Sequence, residues 1–457
     1  MIRQSILFLF GLVFLLGNPL VWARPNVLLI MADDLGLEGL SCYGSASYQT
    51  PQLDQLASTG ARFDYCYSQP LCTPTRVQIM TGRYYFRNYT KFGELRKGEY
   101  TFGNMMKAAG YRTAVAGKWQ LDGAGSGQSP EEAGFDEYCL WNIQIGDAKT
   151  TRTRYADASL FHMDRKTGKP SLNEHNGKYG PDVCEQYLMD FMSNSIRDEK
   201  PFFAYYPMVL THGPFKPTPD SEIWANGNRH ENDNKYFKDM VEYMDKIIGR
   251  LVKHIDHLGI RENTLIIFTG DNGTPGGIRT KMRDGRTIMA GKGLHRDSGT
   301  HVPLVVSWLG RIKGGQVSRE LVDMSDFLPT IAEATGVSLP GAPGGKWIID
   351  GRSFLPPLLG KGQSRSHVAV DYREPRQDGF GWSKARFVRD HRYKLYGFYE
   401  RTNKKTKELT VKTGHLYDTV NDPDEKKPLD LTRLSKPAAK AHAKLISALT
   451  ELPPIDP

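Results

Sequence analysis

Residues 26–34 read Asn-Val-Leu-Leu-Ile-Met-Ala-Asp-Asp, a continuous apolar run that stops abruptly at Asp33 and Asp34. An unbroken run of this length describes a strand buried on both faces. Similar runs recur at Thr113–Ala116 before Gly117 and Lys118, at Phe202–Val209 before Thr211 and His212, and at Leu265–Thr269 before Asp271 and Asn272. Between them, Phe237, Met240, Val241, Met244, Ile247, Ile248, Leu251, Val252, Ile255 and Leu258 keep the three-four spacing of one long amphipathic helix. Thr50, Pro51 and Gly60 bracket a shorter one with a cap, a first-turn proline and a terminating glycine. Strands alternating with helices predict an α/β fold, a large mostly parallel sheet sandwiched by helices. Ligands of such sheets gather outside the carboxyl ends of the strands, so the polar groups that end the four runs are candidates for one site.

The texture changes after Pro356. His367–Tyr372 and Ala385–Tyr399 alternate as strands do, and Pro437–Leu449 reads as a helix. This divides the chain into a large α/β domain over 24–356 and a small antiparallel sheet plus helix over 357–457. At the other end, Arg3, the apolar run Ile6–Leu16 and the ending Val21-Trp22-Ala23 describe a secretory signal peptide over residues 1–23. The expectation is a secreted, periplasmic or otherwise extracytoplasmic protein with no stable membrane anchor and no nucleic-acid partner. The excess of 60 Lys and Arg over 51 Asp and Glu fits that reading, because it is local: residues 361–457 carry 20 against 13. Lys404, Lys405 and Lys407 are the candidates there to steer a polyanionic substrate.

The chemistry centres on Cys72. It opens Cys72-Thr73-Pro74-Thr75-Arg76, a segment that leads into a short helix closed by Gly82, which places the cysteine at the positive helix end. A helix N-terminus with Arg76 one turn away favours an anion there, a thiolate or a bound oxyanion, whereas the plain alternative is a disulfide cysteine. Five cysteines leave one without an intramolecular partner, and pairing among Cys42, Cys66, Cys139 and Cys184 stays open. Asp33, Asp34, Asp271 and Asn272 offer three carboxylates and an amide oxygen, a set suited to a hard cation, Ca²⁺ or Mg²⁺, rather than zinc. Lys118, His212 and Lys292 stand at strand ends or in a glycine-flanked turn, where a lysine or histidine can reach an oxyanion.

Together these residues resemble the formylglycine-dependent (type I, arylsulfatase-like) sulfatase family of the alkaline phosphatase superfamily. Cys72–Arg76 resembles the family's Cys-x-Pro-Ser/Thr-Arg signature, and RPNVLLIMADDLG, GYRTAVAGKW, THGP, TGDNG, GKG and LYDTVNDPDE follow in the family's order. The resemblance implies a sulfuric ester hydrolase acting on a sulfate ester, that of a sulfated glycan being within the family's usual range, with Cys72 oxidised to formylglycine by a formylglycine-generating enzyme. It implies that Asp33, Asp34, Asp271 and Asn272 hold Ca²⁺, ahead of Mg²⁺, together with the modified Cys72. Arg76, Lys118 and Lys292 would hold the sulfate oxygens, and His212 would protonate the departing alcohol. One position departs from the pattern: Gln120 stands where the family usually has histidine, and an amide cannot accept a proton at ordinary pH. Two other readings share these residues: phosphoester or phosphonate hydrolysis on the same fold, and a non-catalytic protein that binds sulfated glycans. Trp141–Arg154 and the C-terminal region are the segments expected to select the substrate.

Overall fold

The computed structural model describes residues 24–453 except 147, 150–152, 165–166, 340–346, 363–364, 373–383, 403–405 and 407. The expected signal peptide and Lys404, Lys405 and Lys407 therefore lie outside the described residues. The Asn26–Ala32 strand runs in the interior of a ten-stranded sheet, parallel to Thr264–Gly270 on one side and Phe202–Pro207 on the other. Val27, Leu29 and Met31 enter one apolar core, and Leu28, Ile30 and Ala32 enter another. The unbroken run is thus two alternating faces that are both buried, as sequence predicts. Helices Cys72–Thr81, Phe102–Ala108 and Phe327–Thr335 cover the first face; Pro51–Thr59, Gly180–Arg197 and Tyr236–His257 cover the second.

Among the described residues the sheet is mixed but mostly parallel. Arg112–Lys118 pairs in parallel with Phe202–Pro207 and with Glu137–Trp141, and Gln316–Asp323 with Ala61–Tyr67. Antiparallel strands enter at Leu304–Ser307 and, on the opposite flank, at Ser159–Asp164 and Lys169–Glu174.

The short helix behaves differently from its sequence signature. Thr50 makes no side-chain cap; its Oγ1 instead accepts from the Ser41 N–H at 2.9 Å. The open N–H groups of Gln52 and Leu53 donate to the Asp245 carboxylate of the long helix, at 2.9 and 2.8 Å. Gly60 is not in the left-handed region either (φ −139°). It is glycine because a Cβ would lie 2.2 Å from the Val306 carbonyl oxygen.

The C-terminal strands Val368–Tyr372, Lys384–Arg389, Tyr393–Thr402, Leu409–Lys412 and Leu416–Asp418 form the expected small antiparallel sheet. The Lys436–Thr450 helix packs Ala438, Ala441, Leu445 and Ala448 against it. Several of its cations are buried in ion pairs rather than displayed: Arg389 reaches Asp297, Arg365 reaches Asp326 and Lys394 reaches Glu425. Arg389 also lies over the Tyr67 ring, 4.0 Å from its centroid. These contacts fasten the small sheet to the segments that carry Cys72 and Lys292.

Candidate active site

Asp33 and Asp34 follow the end of the Asn26–Ala32 strand, and Asp271 and Asn272 follow its parallel neighbour Thr264–Gly270. The adjacent strand ends tie together, with the Asp271 N–H donating to the Ala32 carbonyl oxygen at 3.0 Å. The Asp34 N–H donates to Asp271 Oδ1 at 2.9 Å. Asp34 adopts φ +65°, a conformation aspartate tolerates better than most residues, and this turns it out of strand geometry at the sheet edge. Gly117 has φ +116°, and a Cβ there would meet the Pro207 carbonyl oxygen at 2.1 Å, so only glycine lets the strand bring Lys118 in.

Cys72 is the first residue of the Cys72–Thr81 helix, all ten residues of which are buried. Its Sγ, an oxygen of Asp33 and an oxygen of Asp271 lie within 4.8 Å of one another. Lys118 Nζ donates to both Asp33 oxygens at 3.1 and 2.9 Å, and Lys292 Nζ to Asp34 Oδ2 at 2.6 Å. Arg76 donates through Nε and Nη2 to Asp271 Oδ2 at 3.2 and 2.9 Å, with Asp33 Oδ1 3.6 Å away. Asn272 Nδ2 donates to Asp34 Oδ1 at 2.8 Å. Its Oδ1 is buried without a hydrogen-bond partner, as is Nη1 of Arg76. All ten residues singled out from sequence thus belong to one connected cluster. The three lysine and arginine charges match the three carboxylates.

The electrostatics are those of a dry centre. Burial alone would raise the Asp33 carboxyl, but Lys118, then His212, Arg76 and Lys292, hold it well below the usual range. Burial pushes Asp271 upward, reinforced by Asp33 and opposed by Arg76. Burial also pushes the Cys72 thiol up, against the pull of Lys118 and Lys292. Of the two anions this helix end could favour, a thiolate or a bound oxyanion, burial works against the thiolate, and Arg76 faces the carboxylates. Cys72 Sγ instead donates to Gln120 Oε1 at 3.3 Å. Gln120 itself has φ +55° and donates its N–H to the Asn142 carbonyl oxygen at 2.9 Å.

His212 forms the outer wall, its side chain 30% exposed and Nε2 3.6 Å from Asp34 Oδ2. Burial lowers its pKa, opposed by Asp33 and Asp34. Sequence reasoning placed Arg154 only at the end of a variable segment. In the fold its Nη2 is 2.9 Å from His212 Nδ1, and its guanidinium lies over Trp141, 4.3 Å from the ring centroid. No local motif announces this contact, which joins residues 58 apart. Beside Gln120 opens a cleft of about 370 Å³ whose walls include Lys91, Phe92, Asn142, Gln144 and Lys149.

The five cysteines are free thiols. Two glycosylation sequons are buried: Asn272 lies within the site, and Asn88 Nδ2 is engaged by Thr81 Oγ1 at 3.1 Å and Glu99 Oε2 at 3.0 Å.

Known proteins are similar to this chain along most of its length. The sulfatase family profile matches residues 25–337, and the profile of the N-sulphoglucosamine sulphohydrolase C-terminal region matches residues 290–452. The chain is 32% identical to arylsulfatase A of Homo sapiens over 381 residues, covering 78% of this chain and 72% of that protein. It is 29% identical to N-acetylgalactosamine-6-sulfatase of Mus musculus over 380 residues, covering 76% and 69%. A solved structure in complex with its substrate D-glucosamine-2-N,6-O-disulfate superposes with a TM-score of 0.69 at 21% identity, over 94% of this chain and 97% of that one. With the family profile spanning the segments that carry Asp33, Cys72, Lys118, His212, Asp271 and Lys292, this chain belongs to the sulfatase family, whose enzymes hydrolyse sulfate esters.

Proposed function

We propose that the chain removes sulfate from a sulfated carbohydrate, with Cys72 oxidised to formylglycine as the nucleophile beside one Ca²⁺. The observation that carries this is the convergence of Cys72 Sγ with the Asp33 and Asp271 oxygens at one point beneath two lysines. The residues fit a hard cation: the buried Asn272 Oδ1 has no hydrogen-bond partner, and its Nδ2 donates to Asp34, one of three carboxylates gathered at the two strand ends. Asp33, Asp34, Asp271 and Asn272 would hold the ion together with residue 72. A bound Ca²⁺ would supply positive charge against the sulfate oxygens, and formylglycine at residue 72, in its hydrated form, would supply a nucleophilic hydroxyl and a second one beside it. Because the three protein cations already balance the three carboxylates, a divalent ion leaves a net positive centre, the right sign for an anionic ester.

The protein groups divide the remaining work. Lys118 and Lys292 present ammonium groups to the anion from opposite carboxylates, and Arg76 clamps Asp271 in place while its Nη1 stays available. Gln120 orients residue 72 by a hydrogen bond but takes no proton. His212, at the solvent edge, gives a proton to the departing alcohol, and the same imidazole is then the neutral base at hand for its return. The cleft beside Gln120 offers amides for hydroxyl groups, Lys91 and Lys149 for anionic substituents, and Phe92, 42% exposed, for the face of a sugar ring. The leader over residues 1–23 would place this activity outside the cytoplasm, after maturation by a formylglycine-generating enzyme. Residues 24–356 would carry the catalysis and 357–457 would support it.

Peptide mass spectrometry of protein from the native host tests the nucleophile: the Cys72 peptide is expected about 18 Da lighter than its sequence mass. An unmodified Cys72 would instead favour a glycan-binding protein. Faster turnover of 4-nitrophenyl phosphate or a phosphonate ester than of any sulfate ester would favour the phosphoryl alternative. Cys72→Ala is expected to lower turnover by roughly 10⁴-fold or more with an unchanged melting temperature, measured on a sulfated oligosaccharide panel.

A further inference from the structure

Glu38 is a buried acid with no part in the chemistry proposed above. It lies in the single 3-10 turn Leu37–Gly39 that follows Asp33 and Asp34, is 3% exposed, and its side-chain partner is a hydroxyl rather than a cation. Thr274 Oγ1 donates to Glu38 Oε1 at 2.7 Å and accepts the Gly36 N–H at 3.2 Å. The carbonyl oxygen of the same Thr274 accepts two further N–H groups, from Gly291 at 3.1 Å and from Lys292 at 3.0 Å. We propose that Glu38 is a positioning residue for the bound sulfate: through Thr274 it fixes the turn that carries Lys292, and with it the place of the Lys292 ammonium beside Asp34. The inference rests on the reading of Lys292 as a group that holds the sulfate oxygens.

Lys292 stands between Gly291 and Gly293, so its own backbone restrains it little and it must be held from outside. The holding bonds come from Thr274 on one side and, on the other, from the Pro70 carbonyl oxygen, which accepts the Gly293 N–H at 2.9 Å. They set Lys292 Nζ 2.6 Å from Asp34 Oδ2 on a side chain 21% exposed. Thr274 is thus the junction of three segments: the strand end that carries Asn272, the loop after Asp34, and the Lys292 turn.

A threonine hydroxyl has one proton to give, and Glu38 takes it, which leaves a lone pair for the Gly36 N–H. Without that acceptor the proton would be stranded in a buried place and the hydroxyl would be free to turn. The carboxyl is also packed directly on the loop after Asp34, since a Cβ on Gly36 would lie 2.4 Å from Glu38 Oε2. Burial raises the Glu38 pKa, opposed by the hydrogen bonds from Thr274 and from its own backbone. Protonated or ionised, the carboxyl keeps an acceptor for Thr274, so the role asks for a hydrogen-bond acceptor at this point and not for a charge. Burying such a group is costly without a bond that an apolar residue of the same size could not make.

The test compares Glu38→Gln, which keeps the acceptor, with Glu38→Met, which keeps the bulk and removes it. Each is made with Lys292 intact and with Lys292→Ala, in full-length, calcium-loaded protein from the native host. Binding of inorganic sulfate is measured by calorimetry, and kcat/KM on sulfated oligosaccharides. With Lys292 intact, Glu38→Met is expected to weaken sulfate binding about tenfold and to lower kcat/KM by about 10–100-fold, while Glu38→Gln leaves both within about threefold. In the Lys292→Ala chain, Glu38→Met is expected to change neither by more than about twofold, because the group it positions is gone. Thr274→Val, which breaks the same chain of bonds at its middle, is expected to repeat the Glu38→Met result, and melting curves identify any variant that fails to fold. Undiminished sulfate affinity in both Glu38→Met and Thr274→Val would overturn the proposal. So would equal losses with and without Lys292, the mark of a residue that only stabilises the fold. Sulfate binding that falls as expected in a chain that releases sulfate from no ester would uphold the positioning role and defeat the proposed reaction.

Discussion

His212 shows how far a residue's role depends on neighbours that sequence does not place. Its position after the Phe202–Pro207 strand is legible, since the apolar run ends there. Its contacts are not: Arg154 meets Nδ1 at 2.9 Å, and Asp34 stands 3.6 Å from Nε2. A proton donor matters most when the departing alcohol is a poor leaving group. His212→Ala is therefore expected to slow desulfation of a sugar sulfate by about 10²–10⁴-fold while affecting 4-nitrophenyl sulfate much less. Equal losses on both substrates would place His212 in binding instead. Gln120 illustrates the opposite case: the departure from histidine is visible in sequence, while its hydrogen bond from Cys72 emerges only in the fold. Arg76 was expected among the groups facing the anion, and its guanidinium spends two donors on Asp271, because a buried carboxylate beside two others needs a partner at once.

At the scale of elements, apolar periodicity carried the reading where it was strong. The long helix, expected from Phe237 to Leu258, spans Tyr236–His257, and the four buried runs are all strands. The flanking strands were not legible. Gln316–Asp323 alternates half-buried and exposed positions before its buried end, and Leu304–Ser307 is only four residues long. The cap of the Pro51–Thr59 helix was missed for a related reason: Asp245 lies 192 residues from the N–H it accepts at Leu53. That cap has a pH signature. Burial raises the Asp245 pKa from 3.8 to about 7, against the two backbone hydrogen bonds. The folded state thus holds the proton more tightly than the unfolded chain. The associated stability is complete below about pH 4 and is lost as pH rises through about 7, at about 1.4 kcal/mol per unit. Asp245→Asn is expected to flatten the melting temperature over that interval, at a constant cost of about 1 kcal/mol for the weakened cap. An unchanged slope would assign the pH dependence elsewhere.

Across the whole molecule, the small sheet is joined to the large one by charge as well as by apolar packing. The sequence shows a basic surplus after residue 360 but not its disposition, because ion-pair partners such as Asp297 and Asp326 lie in the preceding part of the chain. Arg389→Ala would strand Asp297 and uncover Tyr67, and breaking such a buried pair costs about 3–5 kcal/mol. Chemical denaturation should show that loss; a change under about 1 kcal/mol would mean that this pair adds little to the apolar contacts between the two sheets. The burial of Cys72–Thr81 has a consequence in time rather than in space. If Cys72 is oxidised as proposed, an enzyme that reads Cys72, Pro74 and Arg76 by their side chains would find none of them on the finished surface, and the oxidation would belong to the interval between synthesis and closure of the sheet. The speed of folding would then set how much of each protein batch is ever born active.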